Sequence, residues 1–194
     1  MVRPGDAQVT AHFSAHSIDL DAESIYALFA QRVRELVAGR SMGLVGVHTG
    51  GVWLAERLRK DLNVAAEVGV LDVSFYRDDF AQGGLNPGVR PSRIPFEMAG
   101  CHVVLVDDVL YTGRTVRAAM NELFDYGRPA RIDLAVLIDR GGRELPIAPS
   151  VVGRTIEVPD DVSVVLRSEP SGRLHLTLEQ KARAGRDDEP AAER

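Results

Sequence analysis

The sequence predicts an α/β domain in which a mainly parallel central sheet is flanked by helices. Three observations carry this. Short apolar, β-branched runs alternate with segments whose apolar residues recur at helical spacing, the pattern of parallel strands joined by helical crossovers. Three of the runs end in loops of unusual chemistry, His48-Thr49-Gly50-Gly51, Asp107 to Thr115, and Asp139-Arg140-Gly141-Gly142. Finally, 194 residues with 45% hydrophobic content suit one core, and no Pro/Gly/Ser-rich linker divides the middle. In such sheets ligands bind beyond the carboxyl ends of the strands, so the three loops are expected to meet at one edge.

Residues 1–16 are polar and aperiodic and read as a flexible arm; a single domain is expected over 17–178 and a disordered tail over 179–194. From Asp21, a helix is expected with Ile25, Leu28, Phe29, Val33, Leu36 and Val37 on one face and Gly39 as its stop. "MGLVGVHTGG" (42–51) reads as a short strand ending in a glycine loop. Val52, Ala55, Leu58 and Leu62 then share a helical face. "EVGVLDVSFY" (67–76) is β-rich.

Residues 78–95 hold two adjacent glycines, three prolines and several charges with nothing periodic to bury, and a mobile lid is expected there. A strand follows over 102–107, then a helix from about Arg114 with Val116, Ala119, Met120, Leu123 and Phe124 inward. "RIDLAVLID" (131–139) is the next strand, and "VSVVLR" (162–167) and "LHLTL" (174–178) form a β-rich tail.

Composition excludes several classes. A net charge of -5 and a pI near 5.5 argue against a protein that coats nucleic acid. The one cysteine, Cys101, excludes an intramolecular disulfide and a cysteine-based zinc cluster, and it fits a reducing cytoplasm. It reads as a small buried hydrophobe. No run approaches 18 apolar residues and the first 13 contain no signal-peptide core, so a soluble cytoplasmic protein without membrane contact is expected.

The most informative stretch is "VVLVDDVLYTGRT", residues 103–115. Two adjacent carboxylates at the end of an apolar strand repel each other and lose hydration, which calls for compensation. Downstream, Gly113 permits close backbone approach, Thr112 and Thr115 offer hydroxyls, and the amino end of a helix follows; together these bind a phosphate. The carboxylates would repel that phosphate, so they should face sugar hydroxyls or a magnesium ion held by sugar and phosphate oxygens. A helix cap in a solvated loop, with no ligand, is the plainer alternative. Neither a Walker A loop nor a dinucleotide fingerprint is present.

With "SFYRDDF" (74–80), "YGRPARIDLAVLIDRGGRELPI" (126–147) and "VGRTIEV" (152–158) in the same order, residues 103–115 resemble type I phosphoribosyltransferases, and more narrowly the PyrR family. The resemblance runs from about Gly43 to Leu178. It implies the type I phosphoribosyltransferase fold, with a flexible loop over about 77–95 and a small β-rich hood. It also implies a reaction, uracil plus phosphoribosyl pyrophosphate (PRPP) giving UMP and pyrophosphate, with Mg2+ carried by PRPP near Asp107. Pyrimidine-responsive regulation, pyrimidine leader RNA as a partner and a homodimer or higher homo-oligomer belong to the same family picture.

The resemblance assigns roles residue by residue. Asp107 and Asp108 match the pair at the ribose hydroxyls, where negative charge also suits an oxocarbenium-like transition state. Thr112, Gly113, Arg114 and Thr115 match the 5'-phosphate cradle, reached through Val109, Leu110 and Tyr111. Thr49, Gly50 and Gly51 stand at the pyrophosphate loop. Tyr76 and Arg77 open the flexible loop, Arg77 as a pyrophosphate contact. Ile138, Asp139 and Arg140 stand where uracil is received, and Val164 lies against the base.

The chain also departs from the family. Its Thr-Arg-Gly is Thr49-Gly50-Gly51, which removes a cation; backbone amides are expected to take over, and Gly50→Arg to leave turnover unchanged or raise it. Its Arg-Gly-His-Arg-Glu is Arg140-Gly141-Gly142-Arg143-Glu144. Thr-Arg-Ile-Ala-His-Glu on the first helix is Ala27-Leu28-Phe29-Ala30-Gln31-Arg32, and Lys-Asn-Ile/Val-Pro-Thr is Arg154-Thr155-Ile156-Glu157-Val158. Sequence-specific RNA recognition needs defined hydrogen-bonding groups, so attenuation through the usual surface is not expected. Two readings stand: an enzyme, and a regulator that keeps a UMP or PRPP site as a sensor. A purine or orotate phosphoribosyltransferase is disfavoured by "LAVLIDRGGRELPI".

Overall fold

Why two hydrophobic clusters form is clear from β3, His102–Leu110, whose alternate side chains point to opposite faces of the sheet. Val104 and Val106 face one cluster, with Phe29, Val33, Leu54 and Leu58; Val103 and Leu105 face the other, with Val116, Ala119 and Leu123. The computed structural model describes residues 20–73 and 91–181. Within them α1 (Ala22–Val37), β1 (Gly43–Val47), α2 (Gly50–Asp61), β2 (Gly69–Leu71), β3, α3 (Arg114–Asp125), β4 (Arg131–Asp139) and β5 (Val151–Thr155) follow in order. The sheet runs β2-β1-β3-β4-β5 with every pairing parallel. An antiparallel hairpin of β6 (Val162–Ser168) and β7 (Leu174–Gln180) packs Val164, Leu166 and Leu174 on the α1–α2 side as a hood. No helix among the described residues is long and apolar enough to cross a membrane.

Local chemistry sets the helix ends. Asp21 caps α1, its carboxylate accepting from the Glu23 N–H at 3.1 Å and the Ser24 N–H at 3.3 Å, and Gly39 leaves the helix at φ 73°. Two expectations for inward side chains fail. Leu28 is 40% exposed and Phe124 55% exposed. Each lies one residue, about 100° of helix, from the true stripe, through Ile25 and Phe29 in α1 and through Ala119 and Leu123 in α3.

Strand boundaries differ as well. β3 continues through the aspartates to Leu110, because Val109 and Leu110 keep pairing with Ile138 and Asp139 of β4. β5 was not expected; it is a five-residue edge strand with Gly153 and Arg154 in it, too short and polar to stand out. Of the run 67–76, only Gly69–Leu71 is strand among the described residues. β7 passes Leu178, and the Lys181 N–H donates to the Asp161 carbonyl at 2.7 Å, so the described hood includes the first three residues assigned to the tail. At the end of the expected lid, Arg93 is anchored in a bridge to Val70, with two backbone bonds of 2.8 Å. The arm 1–16, residues 77–90 of the lid and residues 182–194 lie outside the described residues.

At the amino ends of β3 and β4 lies a polar knot. Asp133, 2% exposed, accepts from Arg131 Nε at 2.6 Å and Nη2 at 2.7 Å, from the Ser150 hydroxyl at 2.8 Å, and meets His102 Nε2 at 2.7 Å. Chiefly the Arg131 guanidinium, then His102 and Ser150, hold its carboxyl well below the ordinary range against the opposing effect of burial. A carboxyl depressed in the folded state adds stability above its unfolded pKa of about 3.9, and that stability fades as pH falls from about 5 toward the folded value. Asp133→Asn is therefore expected to lower the melting temperature at pH 7 and to flatten its fall between about pH 5 and pH 3. Thermal melts across that range check this; parallel wild-type and variant curves would refute it.

Candidate active site

Three glycines bring α2 onto the sheet. A Cβ at Gly46 would stand 2.6 Å from the Gly51 carbonyl oxygen, and one at Gly51 would stand 2.3 Å from the Val106 carbonyl oxygen. Side chains at either position would lift the amino end of α2 off β1 and β3. Gly50 and Gly51 are therefore the first residues of the helix rather than its preceding loop, and Thr49 is the N-cap residue. The same approach sets Gly50 against Asp108: a Cβ there would meet Asp108 Oδ2 at 2.3 Å, Cγ at 2.5 Å and Cβ at 2.7 Å.

A cavity of about 420 Å3 opens beyond the carboxyl ends of β1, β3 and β4. Thr49, Gly50, Asp107, Asp108, Val109, Tyr111, Thr115, Arg140 and Val164 line it. Asp107 is 2% exposed, and its Oδ1 accepts from the Asp108 N–H at 3.0 Å; Asp108 Oδ1 accepts from the Val109 N–H at 3.0 Å. One wall is thus acidic, and the facing hood wall carries Val164, Val165 and Leu166 with Arg140 and Lys181.

The other sequence-expected residues support the walls. Leu110 and Ile138 are buried in the core, so their side chains do not line the cavity. Gly51 lies under the α2 turn. Thr112 is buried; its carbonyl accepts from the Glu144 and Leu145 N–H groups at 3.0 and 3.1 Å, and its Oγ1 accepts from the Arg114 N–H at 3.3 Å. Gly113 caps α3 at φ 92°, where a Cβ would also press on Ile147 Cγ1 at 3.0 Å. The Arg114 side chain is paired with Glu144 at 2.6 Å on the surface, leaving its backbone to the cradle. Asp139 is held by Arg143 Nη2 at 2.6 Å and accepts from the Gly141 N–H at 2.9 Å, outside the cavity lining. Tyr76 and Arg77 lie outside the described residues.

Arg140 is buried and works as a strut. Its Nη1 donates to the Val162 carbonyl at 2.6 Å and its Nη2 to the Pro159 carbonyl at 3.0 Å, while Nε has no hydrogen-bond partner. Its guanidinium lies 4.2 Å from the Tyr111 ring centre. Burial, and then a hydrogen bond to Asp160, push the Tyr111 phenol upward from its ordinary pKa. Sequence reasoning missed Trp53, Ser163, Val165, Leu166, Glu179, Gln180 and Lys181, which also line the cavity. Trp53, one turn past the glycine loop, carried a usable signal; residues 179–181 did not, because they merge into a charged tail.

An acidic wall, a helix amino end and a facing apolar wall with buried cationic support suit a ligand with sugar hydroxyls, a phosphate and a planar ring. Residues 21–168 match the phosphoribosyl transferase domain family. The chain is 58% identical over 137 residues to the bifunctional protein PyrR of Pseudomonas aeruginosa strain LESB58, covering 71% of this chain and 78% of that protein. It is 47% identical over 171 residues to the bifunctional protein PyrR of Ralstonia nicotianae, covering 85% and 98%. In fold it is similar to the hypoxanthine phosphoribosyltransferase of Trypanosoma cruzi, at a TM-score of 0.58 and 20% identity over 84% of this chain and 95% of that one. A hypoxanthine phosphoribosyltransferase from Staphylococcus aureus gives 0.55 at 21% identity, over 74% and 78%.

Proposed function

Since the chain belongs to the PyrR family of phosphoribosyltransferases, we propose that its cavity transfers the phosphoribosyl group of PRPP to uracil. The C1–oxygen bond to pyrophosphate breaks and its electron pair leaves with pyrophosphate. The uracil N1–C1 bond forms, and the N1 proton passes to the departing pyrophosphate. The observation that carries this reading is the placement of Asp107 and Asp108 in one cavity wall, between the amino ends of α2 and α3 and facing the hood. There the carboxylates hold the ribose hydroxyls and face the positive charge that develops at C1, while Thr115 and the α3 amino end hold the 5'-phosphate. Thr49 and Gly50 present α2's first turn to pyrophosphate, and Arg140 and Val164 border the base.

Magnesium would be held mainly by PRPP, and Asp107, with Asp108 beside it, would offer it a carboxylate where substrate phosphates complete its shell. Bound there, the ion would screen the charge of the departing pyrophosphate. The protein is read as a cytoplasmic homo-oligomer, on the family resemblance.

Pyrimidine-responsive regulation is the second half of the proposal, supported by the relatives' designation as bifunctional. RNA attenuation through the α1–β5 face is not part of it. Leu28 is exposed there, and the Arg32 guanidinium bonds the Val152 and Gly153 carbonyls.

The test is UMP formation from uracil and PRPP with magnesium, with hypoxanthine and orotate as competing bases. Turnover with uracil alone is expected, and no UMP at high protein concentration would overturn the enzyme reading. In the same preparation, a UMP-dependent shift of pyrimidine leader RNA at physiological salt would return RNA to the account.

A further inference from the structure

Tyr111 stands where three parts of the molecule meet, and phosphoribosyl transfer as derived above gives it no task. Its hydroxyl donates to Asp160 Oδ1 at 3.0 Å, just before β6. Lys181 Nζ, just past β7, lies 5.1 Å from the ring centre, and Arg140 lies 4.2 Å from it. The ring therefore touches both ends of the hood. Its own backbone is fixed to the sheet side, where its carbonyl accepts from Arg143 Nη1 at 2.5 Å, and the phosphate cradle begins at the next residue.

Gly142 completes the arrangement. It sits at φ 66°, and a Cβ there would stand 2.3 Å from Tyr111 Cε2 and 2.9 Å from Cδ2. The ring fills the space that any side chain at 142 would need, so the glycine is required twice, by conformation and by contact.

A two-stranded hairpin is marginal by itself and depends on what it leans on. Beside apolar packing, the hood is anchored by the two Arg140 bonds and by the Leu174 N–H donating to Glu23 Oε1 at 2.8 Å. We propose that Tyr111 is a positioning residue: through Asp160 and Lys181 it ties the hood to the phosphate cradle and so holds the Val164–Leu166 wall over the bound nucleotide, in space that Gly142 leaves open. The proposal rests on the nucleotide reading of the cavity. It makes cradle and hood one unit, so phosphate held on one side and base held on the other reinforce each other.

The test uses the full chain with UMP as the probe. Tyr111→Phe removes only the hydroxyl, Asp160→Ala only the acceptor, and Asp160→Asn restores an acceptor. Tyr111→Phe and Asp160→Ala are each expected to weaken UMP binding about 3- to 10-fold, the range of one hydrogen bond. The double variant should be no weaker than the worse single, and Asp160→Asn should recover most of the affinity. Hydrogen exchange across 160–181 should quicken in both single variants. Effects that multiply in the double variant, or hood exchange unchanged in both singles, would overturn the latch. If wild-type protein fails to bind UMP, the nucleotide reading falls, and the exchange comparison still decides whether Tyr111 holds the hood.

Discussion

Asp107→Asn is expected to lower kcat/KM for UMP formation by at least about 100-fold, while leaving the melting temperature nearly unchanged. The two halves of that expectation have separate causes. Asp107 is 2% exposed in the body of β3, and its Oδ1 accepts from the Asp108 N–H. An asparagine is the same size and keeps a carbonyl oxygen for that bond. What is lost is a full negative charge in a desolvated wall, where it acts on the cation developing at C1 more strongly than it could in water. Removal of one such preorganised group costs about 10^2 to 10^3 in rate elsewhere. The measurement is steady-state UMP formation beside thermal melts of both proteins. A loss below about tenfold with an intact melting curve would mean that Asp107 is not the group facing C1.

The paired aspartates show how far a sequence carries. Adjacent carboxylates after an apolar run, followed by Thr-Gly-Arg-Thr, were legible as a sugar-phosphate site because that chemistry is local: it lies in consecutive residues. The alternation of strands and helices was legible for the same reason. What could not be read was distance between remote residues. Nothing in "TGG" says that Gly51 must clear the Val106 carbonyl, or that Asp108 occupies the space above Gly50. Lys181 opens a charged tail without periodicity, and the cross-strand pairing of Val162 with Gln180 and the Lys181 N–H bond to the Asp161 carbonyl draw it to the cavity. Arg114 looked like a phosphate ligand by position, yet Glu144, thirty residues on, holds its side chain. Phe124 failed differently. A helical stripe that includes Phe124 is one residue too wide.

Gly50→Arg tests the largest of these non-local effects. From sequence alone, restoring the family's cation at the pyrophosphate loop should leave turnover unchanged or raise it. The structure reverses the sign: the variant is expected to lose about 10- to 100-fold in kcat/KM. The contact is not with the tip of a side chain that can swing away. A Cβ at position 50 would stand 2.7 Å from Asp108 Cβ as well as 2.3 Å from Oδ2, and rotation about the Asp108 Cα–Cβ bond leaves its Cβ where it is. Either β3 or the first turn of α2 must therefore shift. α2 has no room to settle, because Gly51 already rests against the Val106 carbonyl. A shift of about 1 Å in a wall that positions the reacting ribose is enough to cost about 10^2 in rate.

Gly50→Ala separates the two effects, since it adds the Cβ without the charge. Alanine is a better helix former than glycine, so without a clash the change should not destabilise the first turn of α2. A melting temperature that falls instead of rising would therefore report the clash directly. Both variants are expected to lose turnover together, with arginine recovering at most part of the loss through its attraction for pyrophosphate. If Gly50→Arg equals or exceeds wild type while Gly50→Ala is impaired, charge outweighs packing at this turn. In that case the glycine, not the aspartate pair, limits this enzyme.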